Sequence, residues 1–190
     1  MKIGLFFGSF NPIHIGHLVI ANTMAETTDL DQVWMIVSPQ NPFKKQKNLL
    51  HEFDRYDMVQ QAIADNAKLR VSDIEFHLPK PSYTIDTLTV IQERFAQHEF
   101  VLIMGSDNLR HFEKWKNHDK ILKYFSLYVY PRPNSEATQW DNHPKVRWVA
   151  APMMDISATF IRRCIEARQS IRYLVPDDVI AYIERKKFYQ

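Results

Sequence analysis

Apolar residues along this chain fall into short runs, separated by stretches whose apolar positions recur with helical spacing. The runs near 2–8, 33–38, 69–72, 99–104, 126–130 and 146–150 read as strands, and Ile3, Leu5, Phe6 and Phe7 make the first of them a buried one. Helical spacing fits segments near 15–28, 51–65, 83–97, 117–124, 157–167 and 176–187. In the first helix, Leu18, Val19, Ala21, Asn22, Met24 and Ala25 are expected on one apolar face. Strands alternating with helices predict an α/β fold, a doubly wound parallel sheet with helices on both faces. Ligands of such sheets sit outside the carboxyl ends of the strands, at a topological switch point. The segments 8–17, 39–47, 105–108 and 151–159 each follow a predicted strand, so this rule gathers four distant stretches around one cleft. The excursion from Pro131 through Pro144 reads as surface and not as a domain boundary.

Composition narrows the picture. A chain of 190 residues suits one well-buried domain, here expected over 1–190, and 45% hydrophobic content argues for a packed globule. Net charge is +2, so nothing global recommends a nucleic-acid partner. Cys164 is the lone cysteine, which excludes an internal disulfide framework and a Cys-rich zinc site. No apolar run is long enough to span a bilayer and no charged-then-apolar leader is present, so the expectation is a soluble, cytoplasmic protein without a membrane partner. A homo-oligomer is left open.

The richest chemistry lies in Gly8-Ser9-Phe10-Asn11-Pro12-Ile13-His14-Ile15-Gly16-His17. A strand, a tight turn and a helix start make an anion site, because unpaired backbone N–H groups point outward there. His14 and His17 lie three residues apart, so both imidazoles face a bound phosphate; each can donate to it, and the cationic form adds charge. A metal pair is the alternative, but no third ligand at zincin spacing follows.

A second helix start occurs at Ile156-Ser157-Ala158-Thr159-Phe160-Ile161-Arg162. Asp155 or Ser157 can cap it, and Arg162 one turn on can fork onto a phosphate. Paired with the first helix start, it suggests a triphosphate cradle. Asn41-Pro42-Phe43-Lys44 follows the second strand and holds a lysine where a phosphate would be, although a solvated loop is the plainer reading. Asp107, just past Gly105, suits a ribose hydroxyl pair or a helix cap. Trp115 offers a flat face to a heteroaromatic ring, or simply core packing. A Gly-x-Gly-x-x-Gly fingerprint, a Walker A loop and a Gly-x-Ser-x-Gly elbow are all missing.

These residues resemble a known family. His14-x-Gly16-His17 with Gly8 to Pro12, and Ile156-Ser157-x-Thr159-x-x-Arg162, are similar to the phosphate motifs of the nucleotidyltransferase superfamily. Asn41-Pro42-x-Lys44, Ser82-Tyr83-Thr84-x-Asp86-Thr87-Leu88, Gly105-x-Asp107-Asn108, Phe112-x-x-Trp115, Arg132-Pro133 and the tail from Leu174 narrow the likeness to bacterial nicotinate-nucleotide adenylyltransferases. The resemblance covers nearly the whole chain. It implies a single Rossmann-like domain that transfers an adenylyl group from ATP to nicotinate mononucleotide, giving deamido-NAD and pyrophosphate in NAD biosynthesis.

It also implies roles. Gly8, Ser9, Phe10, Gly16, Gly105, Asp107, Ile156 and Ser157 would join His14, His17, Thr159 and Arg162 around ATP. His14 and His17 would hold the α- and β-phosphates, and Thr159 and Arg162 the β- and γ-phosphates. Asn41, Lys44, Tyr83, Thr84, Asp107, Trp115 and Arg132 would meet the mononucleotide, Trp115 by stacking and the N–H groups near Thr84 by reading the carboxylate. His14, His17, Lys44 and Arg162 would carry the chemistry, with Mg²⁺ bound through ATP phosphates and water and no protein metal ligands. Two departures stand out: Ala158 where the family usually has Ser, and Phe43 where it often has His. Competing readings are a class I aminoacyl-tRNA synthetase fragment, a nicotinamide mononucleotide or phosphopantetheine adenylyltransferase or a cytidylyltransferase, and a non-catalytic nucleotide sensor. The first lacks its Lys-Met-Ser-Lys-Ser loop and room for a tRNA-binding domain.

Overall fold

In a computed structural model, which describes residues 1–40, 49–133 and 136–190, the strands alternate with helices as the apolar pattern predicts. Along the chain run β1 (Lys2–Gly8), α1 (Ile15–Thr27), β2 (Gln32–Val37), α2 (Glu52–Ala62), β3 (Leu69–Ser72), α3 (Thr84–Arg94) and β4 (Glu99–Gly105). They are followed by α4 (Ser106–Leu109), α5 (His118–Tyr124), β5 (Ser126–Tyr130), β6 (Val146–Trp148), α6 (Ala158–Glu166) and α7 (Asp177–Lys186). The strands form one parallel sheet in the order β3-β2-β1-β4-β5-β6. Strand order reverses between β1 and β4, so the switch point lies beyond Gly8 and Gly105.

Both faces of the sheet are covered, which is why its strands are nearly continuously apolar. Phe6 of β1 points to one face with Met35 and Ile103, packing on Met24, Met58, Ile161 and Val179 of α1, α2, α6 and α7. Ile3 and Leu5 point to the other with Ile36 and Leu102, packing on Leu88 of α3 and Ile121 of α5. Period-two alternation thus survives inside an apolar run and sorts the side chains between two cores. Among the described residues no helix is long and apolar enough to cross a membrane.

One expectation on α1 needs correction: Ile20, Ala21, Met24 and Ala25 are buried, whereas Asn22 is exposed and accepts a hydrogen bond from Asn66 Nδ2 at 3.0 Å. An amide at that position solvates more cheaply than it buries. The short 3₁₀ turns at Ile74–His77 and Phe112–Lys114 and the helix α4 carry too few residues to leave a periodic signal.

Candidate active site

Around the switch point the structure assembles the predicted turns at the carboxyl ends of β1 and β4, whereas of the predicted segment 39–47 only residues 39–40 are described. Beyond Gly8 the chain turns through Phe10, whose φ of 45° is left-handed, and whose ring lies edge-on to His17 at 5.0 Å between centroids. The turn also receives the neighbouring strand, since Ser38 N–H donates to Gly8 O at 2.9 Å.

His14 stands at the start of α1 and stacks on His17, centroids 3.7 Å apart and planes 25° from parallel. The two imidazoles therefore share one place, as their spacing predicts. His14 backbone N–H donates to His17 Nδ1 at 3.3 Å. A ring nitrogen that accepts carries no proton, so neutral His17 holds its proton on Nε2 and is a donor there. Gly16 makes this stack feasible: a Cβ on it would lie 3.1 Å from His14 Nδ1 and 3.2 Å from Cε1.

Of the two protonation states that the sequence leaves open for His14, the structure favours the neutral one. His14 is 6% exposed, its Nδ1 meets no hydrogen-bond partner among the described residues, and burial pulls its pKa down to about 4, helped by the charge of Arg132. In the free protein His14 is thus a neutral imidazole at pH 7, because desolvation disfavours its charge and no anion compensates. The N–H groups of the helix start are also fewer than expected. Ile15 N–H donates to Leu174 O at 2.9 Å and His17 N–H to His14 O at 2.9 Å, which leaves the Gly16 N–H without an acceptor among the described residues.

The second helix start is capped by Ser157, whose Oγ accepts from Phe160 N–H at 3.2 Å; Asp155 does not serve as the cap. Thr159 is exposed one residue into the helix, and Ile156 is half-buried against the core that also holds α1. Arg162 reaches back across the cleft: its Nη1 donates to Asn11 O at 2.7 Å and its Nη2 to Thr159 Oγ1 at 3.3 Å. One guanidinium therefore ties the two predicted phosphate motifs together, although 151 residues separate Arg162 from Asn11.

Past β4, Gly105 allows a tight convergence: a Cβ there would meet Asp107 Oδ1 and come within 3.2 Å of Tyr130 Cζ and 3.3 Å of Arg132 Cγ. Asp107 is exposed and 3.8 Å from Arg132 Nε, and Arg132 N–H donates to Ser106 Oγ at 2.8 Å. Asp107 thus faces solvent in the first turn of α4, which Gly105 and not Asp107 precedes as cap.

Tyr83 and Trp115 are both half-buried against the second core, so each presents part of its ring outward. Lys116 bridges their segments: its Nζ lies 4.7 Å above the Tyr83 ring and pairs with Asp86 Oδ2 at 2.9 Å. Thr84 opens α3 after the Tyr83 cap. Asn41, Phe43 and Lys44 lie outside the described residues.

Three supporting residues carried no signal strong enough to be named from sequence. Arg55 of α2 is fully buried beneath Ser9 and Ser38; a charged residue on the stripe shared with Met58 and Val59 was the available hint. Glu75 is 2% exposed and accepts from Thr87 Oγ1 at 2.6 Å and Ser82 Oγ at 3.0 Å. Burial pushes its carboxyl pKa up against the opposing hydrogen bonds of Thr87, Ser38 and Ser82. Tyr189 donates its hydroxyl to Asn11 Oδ1 at 2.7 Å, bringing the tail of the chain to the first turn.

Comparison with known proteins gives the family. The cytidylyltransferase-like family model matches residues 5–164. A Cytophaga hutchinsonii protein named "Probable nicotinate-nucleotide adenylyltransferase" is 64% identical over 189 residues, covering 100% of this chain and 98% of that one. A Flavobacterium psychrophilum protein of the same name is 52% identical, and each chain is covered completely. Among solved structures, the Plasmodium falciparum nicotinic acid mononucleotide adenylyltransferase complexed with NaAD matches with a TM-score of 0.84 at 19% identity, covering 99% of this chain and 97% of that one, a likeness of fold. Identity of this extent along the whole length, on this doubly wound sheet, makes the chain a member of the nicotinate-nucleotide adenylyltransferase family, within the cytidylyltransferase-like nucleotidyltransferases.

Proposed function

We propose that one domain spanning residues 1–190 transfers the adenylyl group of ATP to nicotinate mononucleotide in the cytoplasm, releasing pyrophosphate and forming deamido-NAD. The observation that carries this reading is the bond from Arg162 to Asn11, which joins two helix starts rich in phosphate donors at the switch point.

A phosphate oxygen of the mononucleotide attacks the α-phosphorus of ATP. That oxygen is already ionised at neutral pH, so no strong general base is needed. The new O–P bond forms as the bond from the α-phosphorus to the bridging oxygen breaks, and pyrophosphate leaves with the electron pair. What the protein supplies is alignment and donors for the charge that grows on the departing oxygens. His17 donates from Nε2, and the neutral His14 beside it gains proton affinity once polyanionic phosphate lies against it. Arg162 and Thr159, with the Gly16, Ala158 and Thr159 N–H groups, hold the β- and γ-phosphates. Ser9, Phe10 and Ile156 shape the ATP cleft, and Asp107 accepts from ribose hydroxyls. Trp115 and Tyr83 flank the pyridine ring, Thr84 N–H reads its carboxylate, Arg132 and Asn41 bind the mononucleotide, and Lys44 adds positive charge near the reacting groups.

Among the described residues no three His, Cys, Asp or Glu side chains converge as a metal cage, and a donor set of imidazoles, hydroxyls and guanidinium suits phosphate better than a hard cation. Mg²⁺ fits as an ion carried by the triphosphate, where it would neutralise phosphate charge.

Pyrophosphate release from ATP, measured side by side with nicotinate mononucleotide, nicotinamide mononucleotide, phosphopantetheine and no acceptor, tests this reading. Turnover fastest with the nicotinate compound supports it. A faster rate with another acceptor replaces it, and ATP binding without turnover on any acceptor makes the chain a sensor.

A further inference from the structure

The apolar stripe of α2 contains an arginine. Arg55 precedes Met58 and Val59 by one turn and, like them, is 0% exposed. Among the described residues no carboxylate lies within ion-pair distance of it; its near neighbour in sequence, Glu52, pairs with Lys80 at 2.6 Å. The guanidinium instead meets four carbonyls. Nε donates to Leu50 O at 2.9 Å, Nη1 to Ser9 O at 2.6 Å and Ser38 O at 2.7 Å, and Nη2 to Pro39 O at 3.0 Å. Burial lowers its pKa to about 10, so it stays charged at neutral pH.

With no described carboxylate at ion-pair distance and only the more distant charge of Glu52 to oppose it, this buried cation is a costly way to fill a core, and well-packed apolar residues generally do so more cheaply. The acceptors explain the choice. They come from the turn after β1, which belongs to the candidate site, from the segment leaving β2 and from the residue that leads into α2. A planar fork reaches all of them in one fixed geometry, which no lysine does.

The bond to Ser9 O has a further consequence. In a trans peptide the C=O and the following N–H point in opposite directions. Drawing Ser9 O toward Arg55 turns the Phe10 N–H to the opposite side, away from the core. Phe10 sits at φ 45°, a left-handed position that a bulky residue adopts only when its surroundings hold it there. Backbone N–H groups exposed in such turns form anion-binding concavities.

We propose that Arg55 is a positioning residue for adenylyl transfer: its buried guanidinium holds the Ser9–Phe10 peptide and the Ser38–Pro39 segment in the arrangement that presents the first turn's amides to phosphate, without touching substrate. This rests on the reading of 8–17 as a phosphate site.

Arg55→Lys, which keeps the charge and loses the fork, tests it by ATP calorimetry, steady-state kinetics and ¹⁵N order parameters at Ser9 and Phe10. In folded Arg55→Lys, ATP affinity falls by about tenfold, the loss expected for one charge-assisted hydrogen bond. The turnover number falls with it, and order parameters drop at 9–10 but not in β4. A folded variant with wild-type ATP affinity and turnover number overturns the assignment and leaves only a stabilising role. If Arg55→Lys does not fold, the unliganded wild type decides. Order parameters at Ser9 and Phe10 matching those of β1, roughly 0.85, support a held turn, and values under about 0.6 overturn it. Calorimetry needs no acceptor, so a wild type that binds ATP but does not transfer it sinks the proposed reaction while still testing Arg55.

Discussion

Arg162 Nη1 donates to Asn11 O at 2.7 Å, linking the start of α6 to the turn that leaves β1. The bond engages one arm of the guanidinium, and the other arm, Nη2, donates to Thr159 Oγ1 at 3.3 Å. Arg162→Lys keeps the charge but cannot hold Asn11 O and Thr159 Oγ1 while still forking onto phosphate. Turnover falls by roughly 10²-fold, the scale of one lost preorganised donor. Steady-state kinetics with varied ATP check this, and an unchanged turnover number removes Arg162 from the phosphate clamp.

His17 is a donor through Nε2 because Nδ1 already accepts the His14 N–H. His17→Ala loses roughly 10²-fold or more in turnover as that donor disappears. A purified, folded variant that keeps full turnover with ATP ends the catalytic assignment.

Trp115 is half-buried against Phe112, ring centroids 5.6 Å apart, so its substitution bears on both packing and substrate. Stacking on a pyridine ring separates the two roles by substrate. Trp115→Ala raises KM for the mononucleotide several-fold, in line with about 1 kcal/mol for an aromatic contact, and raises KM for ATP less. Equal effects on both substrates point to packing alone.

His14 makes stability depend on pH. Its folded pKa of about 4 lies below the unfolded value near 6.5, so the unfolded chain binds the proton more tightly. The contribution of the neutral buried ring is therefore complete above pH 6.5 and is lost as pH falls through that value toward 4, amounting to about 3 kcal/mol. Urea unfolding of wild type and His14→Gln at pH 7.5 and 5 measures the difference. The variant, which has no ring to protonate, destabilises less on acidification; parallel losses in both proteins exclude His14 as the source.

The tail reaches the site through Tyr189, whose hydroxyl donates to Asn11 Oδ1 at 2.7 Å. Asn11 Oδ1 also accepts from Leu50 N–H at 3.3 Å, and its backbone oxygen accepts from Arg162. Tyr189→Phe costs about 1 kcal/mol of stability, a typical net hydrogen bond. It also raises KM for ATP a few-fold, since Asn11 orients Arg162. Denaturation midpoints and ATP kinetics test the two effects separately.

Much of this was legible in the chain. Six apolar runs named six strands because a doubly covered parallel sheet needs no polar face, and the parallel order then placed Gly8 and Gly105 side by side. His14 with His17, and Ser157 with Arg162, were readable because their chemistry is local to a helix start. The neutral state of His14 was not readable, since it depends on burial in the assembled fold and on the charge of the distant Arg132. Arg55, Glu75 and Tyr189 were missed for a related reason. Each acts through partners at least seven residues away or on other elements, so nothing in the spacing around it announces the contact.

The central claim is that this chain breaks the bond between the α- and β-phosphates of ATP and joins the α-phosphorus to nicotinate mononucleotide. ATP labelled at the α-phosphate, incubated with the purified chain and nicotinate mononucleotide, tests it most directly. The account predicts the label in the dinucleotide, with one pyrophosphate released for each. Label recovered in ADP, or no label transferred while ATP binds, contradicts it.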